Sequence, residues 1–101
     1  MDEVTLEKVF YPSEDVVARE IEGEIIIVPL VAGIGDMDDE LFTLNETGRE
    51  VWQLLDGKRT LAQVVEELAL SFQAPEGKIE VDVLGLVTEL ARRKMVIAQA
   101  A

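Results

Sequence analysis

The side chains that most often carry out chemistry in proteins are scarce in this sequence. It has 21 acidic and 9 basic residues but no histidine and no cysteine, which excludes thiolate nucleophiles, disulfides, Cys/His zinc sites and the usual proton shuttle near neutral pH. Ser13 and Ser71 lie in no nucleophile motif and have no evident base beside them. Acidic pairs such as Glu66-Glu67 are common, but no acid stands alone among apolar residues that would raise its pKa for acid–base catalysis. The sequence therefore predicts a protein that is not an enzyme.

One acidic segment has the composition of a cation site. Asp36, Asp38 and Glu40 alternate near two glycines, as in the first half of a calcium-binding loop. An EF-hand loop also requires Gly at its sixth position and Glu at its twelfth, and counting from Asp36 these positions hold Leu41 and Thr47. We therefore predict an acidic, solvated loop, no metal site and no cofactor, with weak cation binding as the alternative.

The composition indicates one small domain in the cytoplasm. The chain has 101 residues, of which 49% are hydrophobic, and a formal net charge of -12, which opposes unassisted binding to nucleic acid. Apolar runs such as residues 25–32 are much shorter than the about 18 to 20 residues of a membrane-spanning helix. The first residues are acidic, whereas a secretion signal begins with basic ones. We predict a cytoplasmic protein with no membrane and no nucleic-acid partner.

The functional residues of such a protein must be positioned by its helices and strands, and the first helix is predicted near the middle of the chain. Small or apolar residues recur there at helical spacing: Leu44, Gly48, Val51, Trp52 and Leu55. Asn45 is the predicted N-cap and Gly57 the predicted stop. Trp52 is expected in the core because it lies on this apolar stripe.

A hairpin is predicted before this helix. Val16–Ile21 and residues 24–30 are rich in β-branched side chains. Glu22-Gly23 between them suits a tight turn because Gly accepts a positive φ.

A third strand is predicted at residues 41–44, leading directly into the first helix. Side chains alternate along a strand, so Phe42 and Leu44 are expected to face the core. Residues 31–39 are predicted to form a loop that is longer than most hairpin connections.

Two further helices are predicted after Gly57. Thr60 and Gln63 fit a capping box at the start of the second helix. The buried stripes of the two helices are Leu61, Val64, Val65, Leu68 and Phe72, and then Ile79, Val83, Leu86, Val87 and Leu90. Residues 95–97 are expected to close the chain as a short strand or extended segment. The predicted fold class is therefore α+β and winged helix-turn-helix-like, with a small three-stranded antiparallel sheet followed by three helices.

A resemblance to a known family rests on residues 44–61 and on Val64, Val65 and Leu68 after them. In these residues the chain resembles the PqqD family of peptide-binding chaperones, in which a small domain hands a precursor peptide to a modifying enzyme. The resemblance covers residues 16–97 and implies the same winged helix-turn-helix-like fold.

Three parts of the chain are predicted from this resemblance and from the composition. Residues 1–15 are expected to form an extended N-terminal arm, residues 16–97 the PqqD-like peptide-recognition domain, and residues 98–101 a frayed tail. The arm lies outside the resemblance, and its two aromatic residues are its only obvious anchors.

The edge of the third strand is the predicted peptide site. A sheet this small leaves a strand with unpaired N–H and C=O groups, where an extended peptide can add as another strand. A short edge covered by the acidic loop is the alternative. The resemblance implies that the leader part of a precursor peptide binds there, in a cleft between the third strand and the third helix. Carried onto this chain, the implied peptide-binding residues are Leu41, Phe42, Thr43 and Leu44 on the strand and Leu84, Gly85 and Thr88 on the outer side of the helix.

The resemblance also implies the mechanism and the partners. The protein would hold the leader and so raise the effective concentration of the precursor at a modifying enzyme. That enzyme is expected to be a radical-SAM enzyme that carries the iron–sulfur cluster, as in the biosynthesis of pyrroloquinoline quinone or a related peptide. The negative charge favours a leader with basic residues or a basic enzyme surface. A monomer or weak dimer is expected, since an open strand edge permits strand exchange.

Two other functions stay open from the sequence. The first is a winged-helix transcriptional regulator that binds DNA, and the second is an interaction module that binds only a protein partner. The charges of the third helix oppose the first. Lys78 near its start is outnumbered by Glu76, Glu80 and Asp82, and its three consecutive basic residues lie at positions 92–94, near its C-terminal end. A recognition helix usually presents its N-terminal part to the DNA groove.

Overall fold

The computed structural model describes residues 4–30, 42–73 and 77–99. The elements in these ranges are β1 (Phe10–Pro12), β2 (Val16–Ile21), β3 (Glu24–Pro29), β4 (Phe42–Leu44), α1 (Glu46–Leu54), α2 (Leu61–Ser71), α3 (Lys78–Arg92) and β5 (Val96–Ala98). The predicted α+β class, with a three-stranded antiparallel sheet and three helices, is confirmed. Leu41 and the predicted loop at residues 31–39 lie outside the described residues.

β3 is the central strand of the three-stranded sheet, whose order is β2-β3-β4. In the hairpin of β2 and β3, Ile21 pairs with Glu24. The turn between them has a positive φ at Glu22 (50°) and at Gly23 (85°), as in a type I′ turn, whose twist matches that of the strands. The predicted hairpin is therefore confirmed, and its second strand ends at Pro29.

One face of this sheet is buried against the helices. Ile25 and Ile27 of β3 and Leu44 of β4 are all buried. Phe42 packs against the same core, while Thr43 is exposed. Because side chains alternate along a strand, this pattern confirms the predicted orientation of β4.

α1 begins where the sequence predicts but ends earlier. The Asn45 side chain accepts a hydrogen bond from the Gly48 N–H at 2.9 Å, which confirms the N-cap. The helix ends at Leu54, so the predicted stop at Gly57 is wrong. Gly57 has a φ of 79° and donates its N–H to the Phe10 carbonyl at 3.0 Å. It therefore connects the segment after α1 to β1.

α2 begins at the predicted capping box. The Thr60 N–H donates to Oε1 of Gln63 at 2.9 Å, and the Gln63 N–H donates to Oγ1 of Thr60 at 3.2 Å. Trp52 is 8% exposed, which confirms its place in the core. The buried core contains Phe10, Ile25, Ile27, Leu44, Val51, Trp52, Leu55, Leu61, Val64, Leu68, Val83, Val87, Leu90, Met95 and Val96. None of the helices in the described ranges is both long and apolar enough to cross a bilayer.

β1 and β5 form a second, two-stranded antiparallel sheet in which Phe10 pairs with Ala98. Phe10 is 2% exposed and belongs to the core. The Gln99 N–H donates to the Val9 carbonyl at 2.8 Å. The described parts of the predicted N-terminal arm and C-terminal tail are therefore joined to each other and anchored by a buried aromatic ring.

Candidate functional site

A surface cavity of about 380 Å³ lies between β4, the start of α1 and one face of α3. We call it the β4–α3 groove. Its lining residues are Phe42, Thr43, Leu44, Asn45, Thr47, Gly48, Val51, Asp82 and Leu86. Most of these residues are apolar or small, and among the described lining residues Asp82 is the one with a charged side chain. The groove therefore combines an apolar wall with a strand edge.

The edge of β4 that borders the groove has backbone groups available for pairing. A two-residue turn makes Ile21 and Glu24 a hydrogen-bonded pair. Along β3 the backbone N–H and C=O groups of successive residues point alternately to the two neighbouring strands. Those of Ile25 therefore point toward β4, where Ile25 pairs with Leu44. The backbone groups of the preceding residue, Thr43, consequently point away from β3. Since β4 is an edge strand of the described sheet, Thr43 offers one N–H and one C=O to an added strand.

The wall opposite β4 is formed by α3. Asp82 and Leu86 are four residues apart, so they lie one above the other on the same helix face. One end of this wall is attached to β4, because the guanidinium of Arg93 lies 4.9 Å from the centroid of the Phe42 ring. This separation is within the range of a cation–π interaction. The strand and the helix are thus held at a fixed separation at that end.

The charged side chains near the groove pair with one another along α3 and its C-cap residue, Arg93. Nε of Arg93 donates to the Glu89 carboxylate at 2.7 Å. Hydrogen bonds from Arg92 and then Arg93 hold the pKa of Glu89 below its ordinary value, so this carboxylate remains ionised near neutral pH. Asp82 accepts a hydrogen bond from Nζ of Lys78 at 3.2 Å and keeps a 42% exposed side chain. A basic group of a ligand can therefore reach Asp82.

The structure brings the described residues of the predicted strand site together. Phe42, Thr43 and Leu44 all line the groove. Leu41, the remaining strand residue of the predicted site, lies outside the described residues. The binding roles of these residues stay predictions.

The predicted helix residues lie elsewhere on α3. Leu84, Gly85 and Thr88 are not among the described residues that line the groove. Leu84 packs against the core, and the exposed Thr88 donates its hydroxyl to the Leu84 carbonyl at 2.6 Å. Asp82 and Leu86 occupy the groove face instead. The peptide-binding roles predicted for Leu84, Gly85 and Thr88 stay predictions.

Sequence reasoning missed Asp82, Thr47 and Gly48 as groove residues. It assigned Leu86 to the core, against which Leu86 does pack, and Leu86 lines the groove as well. One signal was available for the helix pair. Asp82 lies next to the apolar stripe of α3, four residues before Leu86 at the border of that stripe. Such a position at the border of a buried stripe is where a helix meets both the core and a surface groove.

Within the described ranges, no group of three or more His, Cys, Asp or Glu side chains is arranged to hold a metal ion. The acidic residues Asp36, Asp38 and Glu40 lie outside these ranges. Of the described residues that line the groove, Asp82 alone has a carboxylate. Its geometry is suited to binding an extended chain.

Comparison with known proteins identifies a family. The model of the family described as "Coenzyme PQQ synthesis protein D (PqqD)" matches residues 12–96. A protein named "PqqA binding protein" from Gluconobacter oxydans (strain 621H) is 33% identical over 57 residues, which are 56% of this chain and 59% of that protein. A protein of the same name from Xanthomonas oryzae pv. oryzae (strain PXO99A) is 37% identical over 57 residues, covering 56% of this chain and 62% of that protein. The chain thus spans about three-fifths of the length of these curated relatives.

A solved structure has a similar fold. It is TbiB1 in complex with the TbiA(beta) leader peptide, and it superposes with a TM-score of 0.72 over 90% of this chain and 99% of that one. Sequence identity is 20%. At this identity the likeness establishes the shared fold.

Proposed function

This chain belongs to the PqqD family, and from that membership and the β4–α3 groove we propose that it is a non-catalytic peptide chaperone. It binds the leader of a ribosomally synthesised precursor peptide and presents the peptide to a modifying enzyme. The relatives named PqqA binding protein and the leader-peptide complex of TbiB1 support this proposal.

The observation that carries the proposal is the outward direction of the Thr43 backbone beside an apolar wall. A peptide that adds to β4 as an antiparallel strand pairs one residue with Thr43 through two hydrogen bonds. The side chain of that peptide residue lies on the exposed face of the sheet, on the same side as Thr43. Its two neighbours in the peptide point to the opposite face, into the groove. Backbone pairing then supplies affinity, and the groove selects side chains.

The function of the bound state is to bring two reactants together. A leader that is held on this domain increases the effective concentration of the precursor at an enzyme that also binds the domain. The radical-SAM class is our proposal for that enzyme, which would carry the cofactor and the chemistry. The proposed pathway is that of pyrroloquinoline quinone or a related peptide.

The net charge of -12 favours basic partners. Complementary charge mainly speeds association and excludes wrong partners. A leader with lysine or arginine near its strand-forming segment fits the exposed Asp82 carboxylate. A basic patch on the enzyme fits the remaining acidic surface.

Titration of isotope-labelled protein with the precursor peptide encoded beside its gene tests the proposal. Backbone amide shifts should concentrate at Thr43 and along Asp82 to Leu86, where the peptide would lie. A DNA duplex of random sequence serves as the control ligand. A salt-sensitive response to DNA with silence toward the peptide would favour a transcriptional regulator. Silence toward both would favour a module that binds only a protein partner, and either result contradicts the chaperone function.

A further inference from the structure

A second cavity of about 220 Å³ lies where the end of α2 meets the start of α3. We call it the α2–α3 pocket. It is lined by Thr47, Leu68, Phe72, Gln73, Lys78, Ile79, Asp82 and Val83. Neither the strand edge nor the proposed pairing with Thr43 makes use of it.

The floor of the α2–α3 pocket is apolar and well packed. Leu68 and Val83 are buried at 2% and 0% exposure. Phe72 and Ile79 are half-buried and pack against the same core. An apolar cavity of about 150 Å³ is sufficient to hold benzene, so this pocket is large enough for one branched aliphatic or aromatic side chain. Burial of such a side chain is favourable because it removes apolar surface from water.

Two polar residues of the pocket connect it to the β4–α3 groove. Thr47 and Asp82 line both cavities. The Thr47 hydroxyl and the Asp82 carboxylate can accept hydrogen bonds from a peptide backbone or from a basic side chain. A chain that lies in the groove therefore meets the pocket directly beyond the end of β4.

On the basis of the proposed function, we propose that the α2–α3 pocket binds one bulky apolar side chain of the same leader peptide. The side chain is of the leucine, isoleucine, methionine or phenylalanine class. β4 runs from Phe42 to Leu44 toward Thr47, and antiparallel pairing is the more stable arrangement per residue. The anchoring residue thus lies on the N-terminal side of the peptide segment that pairs with Thr43.

This occupant fits the pocket better than a second copy of the chain. Two copies would each carry a net charge of -12, and like charges oppose their association. The peptide, in contrast, is delivered to the opening of the pocket by the strand pairing. The pocket and the strand edge together would recognise two separate parts of the leader. The pocket would bind an apolar side chain, and the strand edge would pair with an extended segment.

Methyl-labelled protein separates the two binding elements in one experiment. The methyl groups of Leu68, Ile79 and Val83 report on the pocket, and the amide of Thr43 reports on the strand edge. The probe is the precursor peptide encoded beside the gene, as wild type and as a series in which each apolar residue is replaced by alanine. One replacement N-terminal to the strand segment should abolish the methyl shifts, leave the Thr43 shift in place, and weaken binding about 10- to 100-fold.

Pocket-filling variants provide an independent measurement. The larger side chain of Ile79→Phe should fill the pocket, so that the wild-type peptide loses its anchor. The wild-type peptide and its alanine variant should then bind the Ile79→Phe protein with similar affinity. Val81→Phe is the matched control, because Val81 is 67% exposed on the same helix and lines neither cavity among the described residues. It should bind both peptides as the wild-type protein does.

The possible outcomes distinguish this inference from the proposed function. A Thr43 shift in the wild-type protein with unmoved pocket methyl groups would overturn the inference and leave the chaperone function standing. Absence of both responses would contradict both proposals. Pocket methyl shifts without a Thr43 shift would remove the strand pairing on which the inference rests. Methyl shifts that depend on protein concentration without peptide would instead identify a second copy as the occupant.

Discussion

The guanidinium of Arg93 lies over the ring of Phe42, 4.9 Å from its centroid. Phe42 is the first residue of β4, and Arg93 caps the end of α3. The contact therefore joins the two sides of the β4–α3 groove at one end. Glu89 positions the guanidinium through a hydrogen bond of 2.7 Å to Nε.

Arg93→Gln should destabilise the protein more than Arg92→Gln. Both arginines pair with Glu89, but the Arg93 side chain is 22% exposed and the Arg92 side chain 73% exposed. Loss of the cation–π contact should cost about 1 kcal/mol, whereas an exposed ion pair contributes less. Urea denaturation of both variants measures the difference. Equal free energies of unfolding for the two variants would show that the contact with Phe42 contributes nothing.

Thr43→Pro should weaken peptide binding while the sheet persists. Proline removes the N–H that points away from β3, and proline is tolerated on edge strands in this orientation. One strand hydrogen bond to the peptide is then lost, and we expect affinity to fall about tenfold or more. Thr43→Val is the matched control because it keeps the N–H and the β-branched shape. Calorimetric titration with the precursor peptide compares them, and unchanged affinity in the proline variant would argue against pairing at β4.

Gly85→Ala should stabilise the protein, and its peptide affinity tests the binding role predicted for Gly85. A Cβ at Gly85 would meet no atom within 4 Å, and alanine in a helix interior is favoured over glycine by about 0.5–1 kcal/mol. Gly48→Ala is the contrasting variant, since its Cβ would lie 3.1 Å from Cβ of Leu44. Thermal denaturation should rank Gly85→Ala above the wild-type protein and above Gly48→Ala. A loss of affinity in Gly85→Ala would place the peptide on the outer side of α3, as predicted from the sequence.

Acid should remove a stabilising contribution of Glu89. Hydrogen bonds from Arg92 and then Arg93 hold the pKa of this carboxyl below its ordinary value of 4.5. A lowered pKa in the folded state means that the contribution is fully present above pH 4.5 and is lost as the pH falls through the folded-state pKa. The difference in stability between wild type and Glu89→Gln should therefore shrink below pH 4.5.

Urea midpoints at a series of pH values measure this effect. Glu66→Gln removes the same charge from an exposed position on α2 and corrects for the general change in net charge. The free energies of unfolding of wild type and Glu89→Gln could instead differ by the same amount at every pH at which the protein folds. That result would contradict a lowered pKa of Glu89 in the folded state.

The parts of the fold that sequence reasoning predicted are those set by local chemistry. Asn45 and Thr60 cap helices through side chains that reach backbone groups within one turn. Glu22 and Gly23 specify a hairpin because both adopt a positive φ. Each of these features is written in a few adjacent residues, so a single sequence is sufficient to find it.

The pairing of β1 with β5 could not be predicted in the same way. Each strand has three residues, and β1 ends in proline. Neither is long enough to show the alternation of apolar and polar residues that identifies a strand. Their pairing brings together opposite ends of the described chain. It depends on the core around Phe10, which forms only when the distant elements have packed.

The helix side of the groove was missed for a related reason. Periodicity identified the buried stripe of α3, but the rotation of the helix relative to β4 decides which neighbouring residues face the cavity. That rotation belongs to the tertiary packing, which includes the contact of Arg93 with Phe42. Asp82, and not Gly85, consequently lines the groove.

The hydrogen bond between Gln99 and Val9 also makes this fold a candidate for circular permutation. A linker would run from Gln99 to the residues before β1, where the Leu6 and Lys8 carbonyls accept hydrogen bonds from the N–H groups of Ala62 and Leu61. New termini could then be opened in the exposed turn at Glu22-Gly23, where loop insertions and chain breaks are best tolerated. The permuted chain would keep β4 and α3 in their original order. Any fused reporter would then project from the turn between β2 and β3.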